Sequence, residues 1–296
     1  MRISVFVASI CVLSLSACST LARYSETQSN AARFDRGAHA VAASEMAFLH
    51  QVQNAECTEA YYKRAYAYAT DTRDKNFDLV FQCHPTELTN DQLQIRLKLL
   101  NAITLYADSL TALTNGSNET QLDSNSSDVA KNLEALAAKE KFSAIGTNTI
   151  AGVNAAVSSI AKFIIERREE PKIADASARL QGPLETIVAA LKAENIDDGQ
   201  GLKSKETALT NDFALAVRVA HEQRGPASLL DIYQAHEALD HLIVQPQDVG
   251  QLNVALDALV SANSALANPK SAEASSTISI LVREGRAAVT LFKASK

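Results

Sequence analysis

The chain has 296 residues, of which 47% are hydrophobic and 21% charged, with 10 glycines, 6 prolines and no tryptophan. A chain of this length can bury a core without metals, and the scarcity of glycine and proline argues against an all-β sandwich or barrel. The net charge of −6 argues against nucleic acid as a partner, because binding to phosphates requires a basic face.

The first seventeen residues have the pattern of an export signal. Met1 and Arg2 give a positive start, and the apolar run over 3–15 is interrupted only by three serines. A charged start, a short apolar stretch and small residues at the cleavage point are typical of secretory signal peptides. The run is shorter than the ~20 apolar residues that a membrane-spanning helix needs. We therefore predict a signal peptide over 1–17.

The signal ends in Leu15-Ser16-Ala17-Cys18, which resembles the lipobox of bacterial lipoproteins. In that family the cysteine thiol is joined to diacylglycerol and the chain is cut just before it. The resemblance implies that Cys18 is the lipid attachment site and that the mature chain carries palmitate. An aspartate after the cysteine favours the inner membrane in enterobacterial lipoproteins, so Ser19 implies the outer membrane, facing the periplasm. Ordinary signal cleavage beside an incidental Cys18 is the alternative.

A polar segment over 18–30 precedes the first helical pattern. It lacks apolar periodicity, so we predict a lipidated N-terminus and a tether that spans at most ~40 Å when extended. Apolar residues then recur every three or four positions, which predicts a long first helix over about 31–70.

Two cysteines remain after Cys11 leaves with the signal and Cys18 takes the lipid. An even pair in an oxidising compartment predicts a disulfide between Cys57 and Cys83. Closing a loop of this length should stabilise the fold by roughly 3.5 kcal/mol in the chain-entropy model. Two buried free thiols are one alternative. A metal site of both cysteines with His84 is another, although it lacks C-x-x-C spacing.

Thr89 and Gln92 have the spacing of a capping box and predict the start of a second helix, which should end at Asn115. Residues 31–114 therefore form an N-terminal helical part, and the Asn/Ser-rich residues 115–128 are predicted to form a flexible loop. The predicted core face of the second helix consists of Leu93, Leu97, Leu100, Ile103, Ala107, Leu110 and Leu113.

The remaining residues, 129–296, also have helical periodicity. A helix is predicted over about 173–195, with a kink or break at Pro183, and another is predicted to begin at Pro246. Short connections favour antiparallel neighbours. The sequence therefore predicts an all-α, elongated up-and-down bundle of long helices, in which 129–296 packs with 31–114 as one domain.

No motif in the sequence supports catalysis. The chain lacks G-x-S-x-G, P-loop and G-x-G-x-x-G patterns, and none of its six histidines has a glutamate three residues before it, as a di-iron bundle requires. His236 and His241 are five residues apart, whereas zincin histidines are four apart and share one helix face. We therefore predict no catalytic residue, no metal site and no cofactor.

Three residues are weak candidates for a ligand site. Glu45 lies on the apolar stripe of the first helix, where a lone carboxylate is costly to bury, so we expect an Arg or His partner or a position at the bundle edge. His84-Pro85-Thr86-Glu87 resembles the short H-x-x-E metal motif of imelysin-like periplasmic proteins, which implies metal binding by His84 and Glu87. Support of the following helix start by Glu87 is the alternative.

These features favour a lipid-anchored periplasmic protein that acts as a non-catalytic scaffold, adaptor or binding module at the outer membrane, with an unknown protein partner. Tyr61 and its neighbouring tyrosines could supply a contact surface, or simply pack. A small-ligand or metal-binding lipoprotein is the first alternative. A membrane-active, pore-forming-like protein is the second, because 142–161 contains no charged residue; a helix buried in the bundle is the preferred interpretation of that segment.

Overall fold

The computed structural model describes the backbone of residues 4–70, 83–86, 88–115, 173–195, 246–269 and 273–294, and of isolated positions between these ranges. On the first helix, the described side chains are those of residues 25–61. The described ranges contain five long helices and no strand, which confirms the all-α fold. The helices are α1 (Ser4–Thr70), α2 (Asn90–Asn115), α3 (Ile173–Asn195), α4 (Pro246–Ala267) and α5 (Ala274–Ala294).

Helix α1 runs antiparallel to α2. Near the start of the described side chains of α1, Thr111 of α2 donates a hydrogen bond to the carbonyl of Ala31. About six turns further along α1, Gln53 donates to Asn90, at the first residue of α2. The two helices are therefore in contact over most of the length of α2.

Helix α1 runs parallel to α5 on another side. Arg33, near the start of the described side chains of α1, donates a hydrogen bond to Ser275, near the start of α5. Further along, the rings of Phe48 and Phe292 lie 6.1 Å apart. Both contacts join residues at matching distances along the two helices, so α1 and α5 point the same way.

Helices α3, α4 and α5 continue the alternation of directions. Asn263 near the end of α4 donates to Gln181 in the first half of α3, and Lys192 near the end of α3 pairs with Asp257 further back on α4. These two helices are therefore antiparallel. A short connection over 268–273 joins α4 to α5, and the two pack closely. The described helices thus alternate in direction, as predicted for an up-and-down bundle.

The core follows the predicted apolar stripes. On α2, five of the seven predicted core residues are buried, and Leu97 and Leu113 pack partly buried against the core. The helix is buried on more sides than its stripe predicts, because it contacts α3 as well as α1. The largest fully buried side chains are Tyr106, Phe34, Phe48, Leu49, Leu88, Leu99, Leu100, Ile103, Leu110 and Leu184.

Two predicted helix ends agree with the structure. The capping box is present: the Thr89 amide donates to Gln92 Oε1 at 3.0 Å, and the Gln92 amide donates to Thr89 Oγ1 at 3.3 Å. Each bond satisfies an amide that the first helical turn leaves without a backbone acceptor. Helix α4 begins at Pro246, as predicted. Helix α3 spans 173–195 without a break at Pro183.

Helix α1 is longer than predicted at its start. It begins at Ser4 and includes residues 18–30, for which we predict a tether. Between Ser4 and Arg36 the sequence contains neither glycine nor proline, so nothing in that stretch interrupts a helix. As a helix, residues 18–30 span about 20 Å, which is half of the ~40 Å that they would span when fully extended.

Helices α1 and α5 approach each other closely at two glycines. A Cβ atom added at Gly37 would lie 2.4 Å from Cγ of Leu281, which is fully buried. A Cβ atom added at Gly285 would lie 3.0 Å from Cβ of Ala40 and 3.2 Å from the carbonyl oxygen of Gly37. The absence of side chains at both positions allows the two backbones to pack directly.

Several predictions fall outside the described residues. The loop predicted over 115–128 does so apart from Asn115, and so do His236 and His241. Within 142–161 only Ala155 and Ser159 are described, and both are helical and exposed. No helix among the described residues is long and apolar enough to span a membrane.

Candidate functional site

The predicted disulfide is present between the second half of α1 and the segment that leads into α2. Cys57 and Cys83 are bonded, with their Cα atoms 5.4 Å apart. Glu56, the preceding residue on α1, accepts hydrogen bonds from the backbone amide and the hydroxyl of Thr86 and from the amide of Leu88. The segment is therefore fixed to α1 by a covalent bond and by a buried carboxylate.

Two of the three weak ligand-site candidates, Glu45 and His84, do not lie together. Glu45 is 1% exposed, so it does not lie at the bundle edge, and it accepts a hydrogen bond of 3.2 Å from Asn195 of α3. His84 is exposed and directly follows Cys83, whose disulfide partner Cys57 lies twelve residues, or about 18 Å along α1, from Glu45. Glu87 lies outside the described residues.

Two other predicted features lie along α1. The backbone of Cys18, the predicted lipid attachment site, belongs to this helix. Tyr61, in the predicted tyrosine cluster, is 44% exposed, so it is available for contact beyond the disulfide. Cys18 and Tyr61 are thus carried by one continuous helix.

The α1–α2 interface brings together a cluster that sequence reasoning missed, namely Asp35, His39 and Asp108. Nε2 of His39 lies 3.0 Å from Oδ1 of Asp108 and 3.5 Å from Oδ1 of Asp35. One ligand atom from each residue lies within 4.8 Å of the other two. This group is the set of His, Cys, Asp and Glu side chains among the described residues that could hold a metal ion.

Helix geometry explains why two of the three members of this cluster lie together. Asp35 and His39 are four residues apart on α1, so their side chains share one face of the helix. Asp108 reaches them from α2, because the antiparallel pairing that joins Ala31 to Thr111 places it one turn further along. The D-x-x-x-H spacing is visible in the sequence, but the third residue is 69 positions from His39.

The charges of the cluster act strongly on one another. Burial, with the hydrogen bond and charge of Asp108, raises the pKa of Asp35 from 3.8 to about 6, although His39 and Arg36 act in the opposite direction. The hydrogen bond to Asp108 raises the pKa of His39 despite its partial burial. Burial raises the pKa of Asp108 as well, but its hydrogen bond to His39 and the charge of that ring outweigh this and lower it.

A second polar group, inside the bundle, is structural. The Tyr106 hydroxyl donates to Oδ1 of Asn263 at 2.5 Å and lies 3.4 Å from the Ser177 hydroxyl, so that residues from α2, α3 and α4 meet. Asn263 also donates to the Ser177 carbonyl. Burial raises the pKa of Tyr106, so the phenol stays protonated. The group joins three helices without offering a reactive side chain.

A groove of about 570 Å³ lies between α3 and α4. Its wall includes Val188, Ala189 and Val260, and its polar edge includes the pair of Lys192 and Asp257, whose charged atoms are 2.6 Å apart. Glu185 and Ser261 also line the groove, so its mainly apolar wall has a polar, charged edge.

Comparison with known proteins gives no assignment: no protein-family model, no curated protein and no solved structure matches the chain.

Proposed function

We propose that this chain is a lipid-anchored helical protein of the bacterial cell envelope that acts as a non-catalytic scaffold, adaptor or binding module at the outer membrane. The Leu15–Cys18 motif and the preceding apolar run support lipid anchoring. The disulfide between Cys57 and Cys83 is consistent with an oxidising compartment such as the periplasm.

The observation that carries this proposal is the continuity of α1. The helix contains the backbone of Cys18 and, from Ala31 onward, the buried residues of the bundle. With the lipid on Cys18, the core would begin about 20 Å along the helix axis from the anchor. The ends of α2 and α4 and the starts of α3 and α5 would then lie nearest the membrane.

The opposite end of the bundle is the proposed contact surface for a protein partner. Cys57 lies 39 residues after Cys18, or about 58 Å along α1. The exposed ring of Tyr61 follows one turn later. Tyrosine offers a large apolar surface and a hydroxyl, which suits a protein interface.

Metabolic labelling with palmitate in intact cells tests the anchor, and a photo-crosslinker in place of Tyr61 tests the contact surface in the same cells. The wild-type chain should incorporate palmitate and fractionate with the outer membrane. Cys18→Ser should abolish both properties, because it removes the only thiol that the lipobox offers. The crosslinker should capture a discrete protein.

Cys11→Ser is the matched control for the anchor, because it removes a cysteine of the same predicted leader outside the lipobox. It should leave labelling unchanged. A crosslinker in place of Ile280, another exposed apolar residue, is the control for the surface. Unlabelled wild-type protein would refute the anchor, and identical crosslinking patterns at the two positions would refute the contact surface.

A further inference from the structure

The ligand atoms of Asp35, His39 and Asp108 have the chemistry of a metal site. An i, i+4 pair on one helix and a third ligand from a neighbouring helix is an arrangement that can hold an ion between two helices. Here the pair is Asp35 and His39 on α1, and Asp108 on α2 completes it. Two carboxylates and one imidazole also give the group an excess of acidic ligands, which favours a cation.

The distances within the cluster are compatible with one small ion. Zinc binds imidazole nitrogen and carboxylate oxygen at about 2.0–2.2 Å, which places neighbouring ligands of a tetrahedral site roughly 3.4 Å apart. The distances from His39 Nε2 to the Asp108 and Asp35 oxygens are 3.0 and 3.5 Å. Two of the three separations are therefore close to that value, and the third, between the two aspartate oxygens, is at most 4.8 Å.

An independent observation concerns Asp35 itself. Its Oδ1 atom is shielded from solvent and accepts no hydrogen bond from the described residues. A shielded carboxylate oxygen without a donor is costly unless a proton or a cation compensates it. This oxygen lies 3.5 Å from Nε2 of His39, so the oxygen that lacks a hydrogen bond lies inside the cluster.

We propose that Asp35, His39 and Asp108 bind one divalent transition-metal ion, such as Zn²⁺, between α1 and α2. An imidazole ligand favours this class of ion over Mg²⁺ and Ca²⁺, which prefer oxygen ligands alone. His39 is half-exposed, so water can occupy the remaining coordination positions. The ion would join the first two helices about 27 Å along α1 from the disulfide. This inference goes beyond the proposed function and does not depend on lipid anchoring.

Zinc titration of the purified, untagged full chain tests the proposal. The protein is stripped with a chelator, kept oxidised so that Cys57 and Cys83 remain paired, and titrated with ZnCl₂ against a chromophoric competitor. One equivalent of Zn²⁺ should bind to the wild type. His39→Ala and Asp108→Asn should each weaken binding by at least about tenfold, because even loss of a residue that only supports a ligand typically costs 10–100-fold.

His50→Ala is the matched control, since His50 is an exposed histidine three turns further along the same helix. It should bind Zn²⁺ as the wild type does. Zn²⁺ should also raise the unfolding temperature of the wild type and His50→Ala but not of His39→Ala. Circular dichroism checks that each variant is helical, and Asp35→Asn replaces any variant that is not. Absence of stoichiometric binding, or equal affinity in the wild type and the cluster variants, would overturn the proposal.

Discussion

Helix α1 packs against α2 and α5 in two different ways. Toward α5, Gly37 removes a side chain so that Leu281 packs directly on the backbone. Toward α2, residues on either side of that glycine, Asp35 and His39, present charged groups to Asp108. Five consecutive residues of one helix therefore serve a tight apolar contact and a polar one.

The difference between the two contacts indicates which of them has room for a ligand. The α5 contact excludes water and has no room for another atom at Gly37, so changes there act on folding. The α2 contact is held at its far end by the disulfide and by Glu56. With that end fixed, the near end tolerates charged, partly exposed groups, which is where a ligand can bind.

Loss of the disulfide should have the largest effect on the α2 contact. Cys57 and Cys83 are 26 residues apart in sequence, and the Cys57→Ala/Cys83→Ala double variant should lose about 3.5 kcal/mol of unfolding free energy. Urea denaturation followed by circular dichroism measures this loss. The bundle should still fold, because Glu56 continues to bind the Thr86 hydroxyl.

Reduction of the wild type provides the control for that variant. The reduced wild type should denature at the same urea concentration as the double variant, and a reducing agent should leave the variant unchanged. Equal midpoints for the oxidised and reduced wild type would contradict a stabilising role for this bond.

A methyl group at Gly37 should have the next largest effect and acts on the α5 contact. Overpacking typically costs up to about 3 kcal/mol, and alanine regains about 1 kcal/mol over glycine within a helix, so Gly37→Ala should destabilise the protein by about 2 kcal/mol. Thermal and urea unfolding measure the change. Gly250→Ala is the control, because an added Cβ there has open space and should stabilise the fold slightly. Equal stability of the two variants would show that the contact yields easily.

The sequence predicted the elements whose signals are local. The capping box at Thr89 and Gln92, the limits of α3 and the start of α4 follow from residues within one or two turns. The disulfide also followed, because the predicted signal peptide and lipid attachment leave two cysteines to pair. The start of α1 was not predicted, because residues 18–30 are polar and have no apolar period that would indicate a helix. The structure nevertheless continues the helix through them.

The candidate metal site could not be predicted, because its parts are visible only in space. Asp35 and His39 have a recognisable spacing, but the register that brings Asp108 to them depends on packing along the whole α1–α2 interface. Glu45 stood out as a carboxylate on an apolar stripe, and it is buried, yet its contact with Asn195 joins residues 150 positions apart. Patterns within one helix do not encode such pairings.

The smallest predicted effect tests whether the α5 side depends on charge at all. Glu284, next to Gly285, accepts hydrogen bonds from Gln251 at 2.8 Å and from Arg283 at 2.7 Å, and these lower the pKa of its carboxyl below 4.5. A lowered pKa stabilises the fold above the unfolded-state value, and this contribution is lost as the pH falls through the folded-state value.

Glu284→Gln should therefore reduce the difference in urea midpoint between about pH 7 and about pH 3.5. The control is Glu26→Gln, which replaces an exposed carboxylate on α1. The reduction should be small, because Arg283 is largely exposed and an exposed ion pair contributes little. A large reduction would mean that charge at the α4–α5 contact contributes more to holding α5 than the apolar contact at Gly37 does.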